Sequence, residues 1–99
     1  MSPERFPVND LLSEDFLNAE IWWEDGRVHI DVSALSAPDP FVAVIRLVEQ
    51  PGIGDEIVFH NDREPVHLFP ELIEQGWTWR VETDRPGEFC MRMIRESMP

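Results

Sequence analysis

The sequence predicts an α+β two-layer sandwich with elements in the order β-α-β-α-β-β and a mixed four-stranded sheet. Three observations predict it. Apolar and polar residues alternate over 28–33, 77–82 and 89–94, the period of strands with one buried face. Between the first two lie two helical stretches: Pro38-Asp39-Pro40 opens one, and Gly76 closes the other. Strands and helices that alternate and then finish in a hairpin place both helices on one side of the sheet.

The elements follow in order. Asn9 is a candidate cap for a short helix carrying Leu11, Leu12, Phe16 and Leu17, whose spacing suits one apolar face. Asp25-Gly26 stands between two apolar runs, a strong two-residue hairpin signal that adds a fifth, N-terminal strand. With that turn, Trp23 faces Val28 and Ile21 faces Ile30, while Trp22 sits beside His29 on the opposite face. Residues 1–26 are read as an N-terminal extension and 27–99 as the α/β domain. Asp39 is the expected N-cap of the first helix and Pro40 its first residue. Its apolar stripe is Phe41, Val44, Ile45 and Val48, and Gln50-Pro51-Gly52 ends it. Ile57-Val58-Phe59 reads as an interior strand. A second helix runs to about Gln75, with Pro70 kinking it or splitting it into a first turn and a short remainder. Trp77, Trp79 and Val81, then a turn at Asp84-Arg85-Pro86-Gly87, then Phe89, Met91 and Met93 form the closing hairpin.

The composition bounds the function. Ninety-nine residues at 42% hydrophobic content suffice for one core and no second. Cys90 is the single cysteine, so no internal disulfide forms and no oxidising compartment is implied. The start Met-Ser-Pro-Glu-Arg has no apolar signal segment, and the expected location is cytoplasmic. Twenty acids against eight bases, all arginine, give a formal charge of −12. Without lysine there is no Schiff-base chemistry and no P-loop. The acidic field disfavours nucleic acid and anionic membrane as partners. The charge has a plainer reading too: a proteome adapted to high salt, or simple solubility.

Parallel first and second domain strands open their carboxyl ends onto one rim, a favoured binding place in α/β sheets. That rim gathers the candidate ligand-binding residues Ser36, Asp39, His60, Asp62, Arg63 and His67. His60, Asp62 and His67 are candidate metal ligands, although their spacing matches no established motif. The plainer alternative has Asp62 capping the turn and His67 packing on the second helix. The face away from the helices carries Trp22, His29, Cys90 and Ile94. It is either a partner surface or the seat of the N-terminal segment. No Ser/His/Asp or Cys/His arrangement supports a catalytic residue.

Asp31-Val32-Ser33-Ala34-Leu35-Ser36-Ala37-Pro38-Asp39-Pro40, with Gly54-Asp55-Glu56 and Gly76, resembles the TusA/SirA-type sulfur carriers over roughly residues 27–96. Those proteins enter the first helix through Cys-Pro-x-Pro. Here Ala37 stands at the position of the sulfur-carrying cysteine, and the neighbouring Ser36 cannot form a persulfide. The run His60-Asn61-Asp62-Arg63-Glu64-Pro65-Val66-His67-Leu68-Phe69-Pro70, with the Pro-x-Pro helix start, more closely resembles the domain of unknown function 2249 family. That resemblance implies a TusA-like fold and no established activity. Related domains occur joined to hemerythrin-like modules. The expectation is a non-catalytic binding or adaptor domain, not an enzyme, with a protein partner or small ligand and no assigned cofactor. A homodimer remains open. The alternative is an auxiliary metal-binding protein in redox or nitrogen-oxide metabolism.

Overall fold

A computed structural model describes residues 6–7, 16–50 and 52–96. Its elements are β1 (Phe6–Pro7), β2 (Glu20–Glu24), β3 (Arg27–Asp31), α1 (Asp39–Val48), β4 (Glu56–Asn61), α2 (Phe69–Glu74), β5 (Trp77–Arg85) and β6 (Glu88–Arg95). The strands form one mixed sheet in the order β1-β2-β3-β4-β6-β5. Its central pair, β3 and β4, is parallel, and the other pairs are antiparallel. The expected five strands are all present. The two-residue β1 is an added edge, pairing Phe6 with Trp23 and Pro7 with Trp22.

The β2–β3 hairpin has the register that Asp25-Gly26 predicts: Trp22 opposite His29, Trp23 opposite Val28 and Ile21 opposite Ile30. Both turn residues have positive φ, 55° and 75°. Such a turn twists with the strands it joins. The closing hairpin turns more tightly than expected, at Pro86 and Gly87 alone. Asp84 and Arg85 still pair with Phe89 and Glu88. A register shift between Val81 and Thr83 lets the longer β5 stay in step with β6.

Period-two alternation then decides which side chains meet the helices. Val28, Ile30, Ile57, Phe59, Phe89, Met91 and Met93 join Ala43, Val44, Leu47 and Val48 of α1 and Leu72 of α2 in one buried cluster. Both helices therefore lie on the same side of the sheet, as predicted. Full burial of each large apolar side chain contributes about 1.5–3 kcal/mol. Phe16 and Ala19 also join the cluster, so the N-terminal segment contributes to the same core. Asn9, Leu11 and Leu12, read as part of a short helix, lie outside the described residues. Phe16 and Leu17 belong to a tight turn, where Leu17 and Asn18 take positive φ.

Two helix details differ from expectation. Asp39 is not the N-cap. Pro38 takes that position with no side-chain cap, and Asp39 begins the helix with its N–H donated to the Ser36 carbonyl. The buried stripe of α1 is Ala43, Val44, Leu47 and Val48, while Phe41 and Ile45 pack only partly on the core. Pro70 splits the second helical stretch: residues 66–68 form a turn, and α2 keeps six residues ahead of Gly76. Proline fits the first turn, where its missing N–H has no intrahelical partner. The stack of Phe69 on Trp79, centroids 4.4 Å apart, seats this short helix on β5.

Candidate functional site

Both parallel strands point their carboxyl ends at one rim. The loops that leave them are shaped locally: Asp31 Oδ1 accepts the Ser33 N–H at 2.9 Å, and Asn61 Nδ2 donates to the Arg63 carbonyl at 3.0 Å. Between the start of α1 and the β4–α2 loop lies a cleft of about 510 Å³. Ala37, Pro38 and Phe41 form one wall; Pro65, Val66 and Leu68 form the other, with Asn61, Arg63, Glu64 and His67 as polar groups. A mostly apolar hollow with a few polar groups is the ordinary form of a small-ligand site. Val66 is 55% exposed, a large apolar side chain left to solvent at the cleft edge.

Of the six rim candidates, Arg63 and His67 line this cleft. Ser36 is exposed, and its carbonyl serves the first turn of α1. Asp62 binds the neighbouring guanidinium, receiving Arg63 Nε at 3.2 Å and Nη2 at 3.3 Å. Those hydrogen bonds hold the Asp62 carboxyl below its ordinary value. His60 is turned elsewhere. Phe59 points into the core, so the next residue of the strand points to the face opposite the helices. The proposed ligands His60, Asp62 and His67 are thus not gathered. Among the described residues no group of three or more His, Cys, Asp or Glu side chains converges to hold a metal ion.

On that opposite face His60 meets two partners. His60 Nε2 lies 3.0 Å from His29 Nδ1. The two imidazoles are nearly parallel, at 14°, with centroids 5.3 Å apart. The Trp22 indole stacks with both, at centroid distances of 5.2 and 5.4 Å. Trp22 Nε1 donates to Glu24 Oε1 at 2.8 Å, which fixes the indole. His29 Nε2 is 3.3 Å from the Glu24 carbonyl, which can only accept, so Nε2 carries the hydrogen. Neutral His29 therefore presents a bare Nδ1, and His60 Nε2–H donates to it. Desolvation lowers the pKa of His29, against the opposing pull of the Glu24 carbonyl and of the Glu24 and Asp25 charges.

The rest of the face follows from the pairings. Cys90 on β6 is directly opposite His60. Glu56 bridges Arg27 on β3 and Arg92 on β6, both at 3.3 Å, without well-aligned hydrogen bonds. The sequence placed Trp22 and His29 together on this face but assigned His60 to the rim. The missing signal was strand length: extending β4 past Phe59 by alternation puts His60 on the side of His29.

A larger cavity, about 600 Å³, lies at the other end of the fold beside Glu49, Asp55, Gln75 and Arg95. Four of its polar groups pair with one another, Gln75 with Glu49 and Arg95 with Asp55.

No curated protein and no solved structure matches the chain. A family model described as an uncharacterized conserved protein, DUF2249, matches residues 29–95, from His29 through the last strand. The match takes in the parallel strand pair, both helices and the closing hairpin, and the chain belongs to the DUF2249 family.

Proposed function

We propose that the chain is a non-catalytic binding or adaptor domain that takes the apolar part of a ligand in the cleft between α1 and the β4–α2 loop. The observation that carries this reading is the cleft itself: a 510 Å³ hollow at the carboxyl ends of the parallel strands. The resemblance to sulfur carriers adds chemical sense. Ala37 lies on the cleft wall where such a carrier would present its cysteine. A methyl group there removes the nucleophile and leaves an apolar contact. At the other wall Arg63 and His67 can meet a carboxylate on the ligand, Arg63 by exchanging Asp62 for it, while Glu64 beside them opposes that charge and leaves the apolar body to carry the binding.

Benzoate and indole-3-acetate, titrated into isotopically labelled protein, provide the test. Amide shifts should concentrate at residues 37–41 and 63–68, and Val66→Asp should abolish them. Absence of shifts at millimolar probe, or shifts spread over the sheet face instead, would refute the proposal.

A further inference from the structure

We propose that His29 and His60 together form a two-histidine site for a divalent transition metal on the face of the sheet opposite the helices. The geometry comes first. Two imidazole nitrogens bound to one ion at about 2.0–2.1 Å lie about 3.0–3.4 Å apart at cis or tetrahedral angles. His29 Nδ1 and His60 Nε2 are already 3.0 Å apart, edge to edge with centroids 5.3 Å apart, and a swing of each ring by roughly 40° aims both lone pairs at a shared ion. They come from adjacent parallel strands, where Asp31 is level with His60 and His29 with Val58. A rigid sheet, not a loop, thus sets their spacing.

The surroundings match what a metal-bound histidine requires. Its second nitrogen characteristically donates to a carbonyl or carboxylate, which fixes the tautomer and aims the other lone pair at the ion. The Glu24 carbonyl performs that task for His29 Nε2. The Trp22 indole lies against the faces of both rings and opposes their tilting out of the plane they share, in which the swing towards an ion takes place. Glu24 and Asp25 exert a field that favours a positive charge at His29, and Arg27 opposes it. Across the whole chain the formal charge of −12 favours cations.

Binding replaces the hydrogen bond between the rings. His60 moves its proton from Nε2 to Nδ1 as a change of tautomer, so no net charge is lost. Both nitrogens then offer lone pairs to the ion, and water fills its remaining positions. An all-imidazole pair suits nickel, copper or zinc better than magnesium or calcium. This site is separate from the cleft, on the other side of the sheet, and its test is independent of the ligand reading.

Nickel chloride is the probe, followed by calorimetry and by tryptophan fluorescence on the full chain. One ion should bind per chain and quench the fluorescence, since Trp22 contacts both ligands. His29→Gln and His60→Gln should each weaken binding at least tenfold, while His67→Gln and Cys90→Ser should change it less than twofold. Trp22→Phe should keep the heat and lose most of the quenching. In the unmodified chain, imidazole nitrogen resonances of His29 and His60 should broaden with nickel and those of His67 should not. This last measurement remains decisive if a variant fails to fold. Undiminished binding in His29→Gln, broadening centred on His67, or no binding to the unmodified chain would overturn the proposal.

Discussion

The thiol of Cys90 is half-buried on β6, directly opposite His60. Burial, and then the charges of Glu82 and Glu88, push its pKa above the ordinary value. The thiolate is the reactive form, so the environment suppresses nucleophilic chemistry at this position. Iodoacetamide at pH 8 should therefore alkylate the folded chain severalfold more slowly than the urea-unfolded chain. Equal rates would contradict this account. The same shift has a linkage consequence. The folded state keeps the thiol proton to higher pH than the unfolded chain does. Its contribution to stability is full below the unfolded value of about 8.5 and is lost as pH rises through the folded value. A Cys90→Ala chain should lack that component of the alkaline decline, as measured by urea midpoints at pH 7 and pH 10.

The β2–β3 hairpin is the element on which the histidine pair depends, because its turn sets Trp22 opposite His29. Asp25 and Gly26 hold φ of 55° and 75°, a region where a β-branched side chain collides with its own backbone. Gly26→Val should cost about 1–2 kcal/mol in urea denaturation, whereas Asp25→Asn should be neutral within about 0.5 kcal/mol. No loss in Gly26→Val would mean that the turn does not set the register. The second helix shows the opposite economy. With Pro70 in its first turn and Gly76 beyond its end, α2 keeps only six residues. So short a helix does not hold by itself. Buried Leu72 and the Phe69–Trp79 stack keep it on the sheet.

For the molecule as a whole the largest electrostatic fact is a formal charge of −12 on 99 residues. Several acids are already paired, Glu56 with two arginines and Asp55 with Arg95, but the excess still repels itself across a small domain. Salt shortens the reach of that repulsion, from about 10 Å at 0.1 M to about 3 Å at 1 M. Thermal unfolding should therefore shift upward between 0.1 and 1 M sodium chloride. A gain of about 1 kcal/mol would raise Tm by about 4–8 °C in a domain of this size. An unchanged or falling Tm would show that the surface pairs matter more than the net charge. No helix among the described residues is long and apolar enough to cross a membrane.

The sequence by itself determined the local facts. Alternation in 28–33, 77–82 and 89–94, the Asp25-Gly26 turn and the proline-marked helix starts follow from backbone sterics and side-chain period. With the apolar run Ile57-Val58-Phe59 they were enough to predict every strand but β1, the hairpin register and the shared side of the two helices. Tertiary structure decided what lies beside what. Successive side chains of a strand point to opposite faces, and β4 continues past Phe59 to Asn61. His60 consequently leaves the rim with Asp62 and His67 and meets His29 under Trp22. The cleft likewise needs two segments, the start of α1 with the residues before it and the β4–α2 connection, that are distant in sequence and opposed only because β3 and β4 run parallel. Neighbours within a strand are written in its residue order. Neighbours across strands depend on strand order and length, which long-range packing of the core selects.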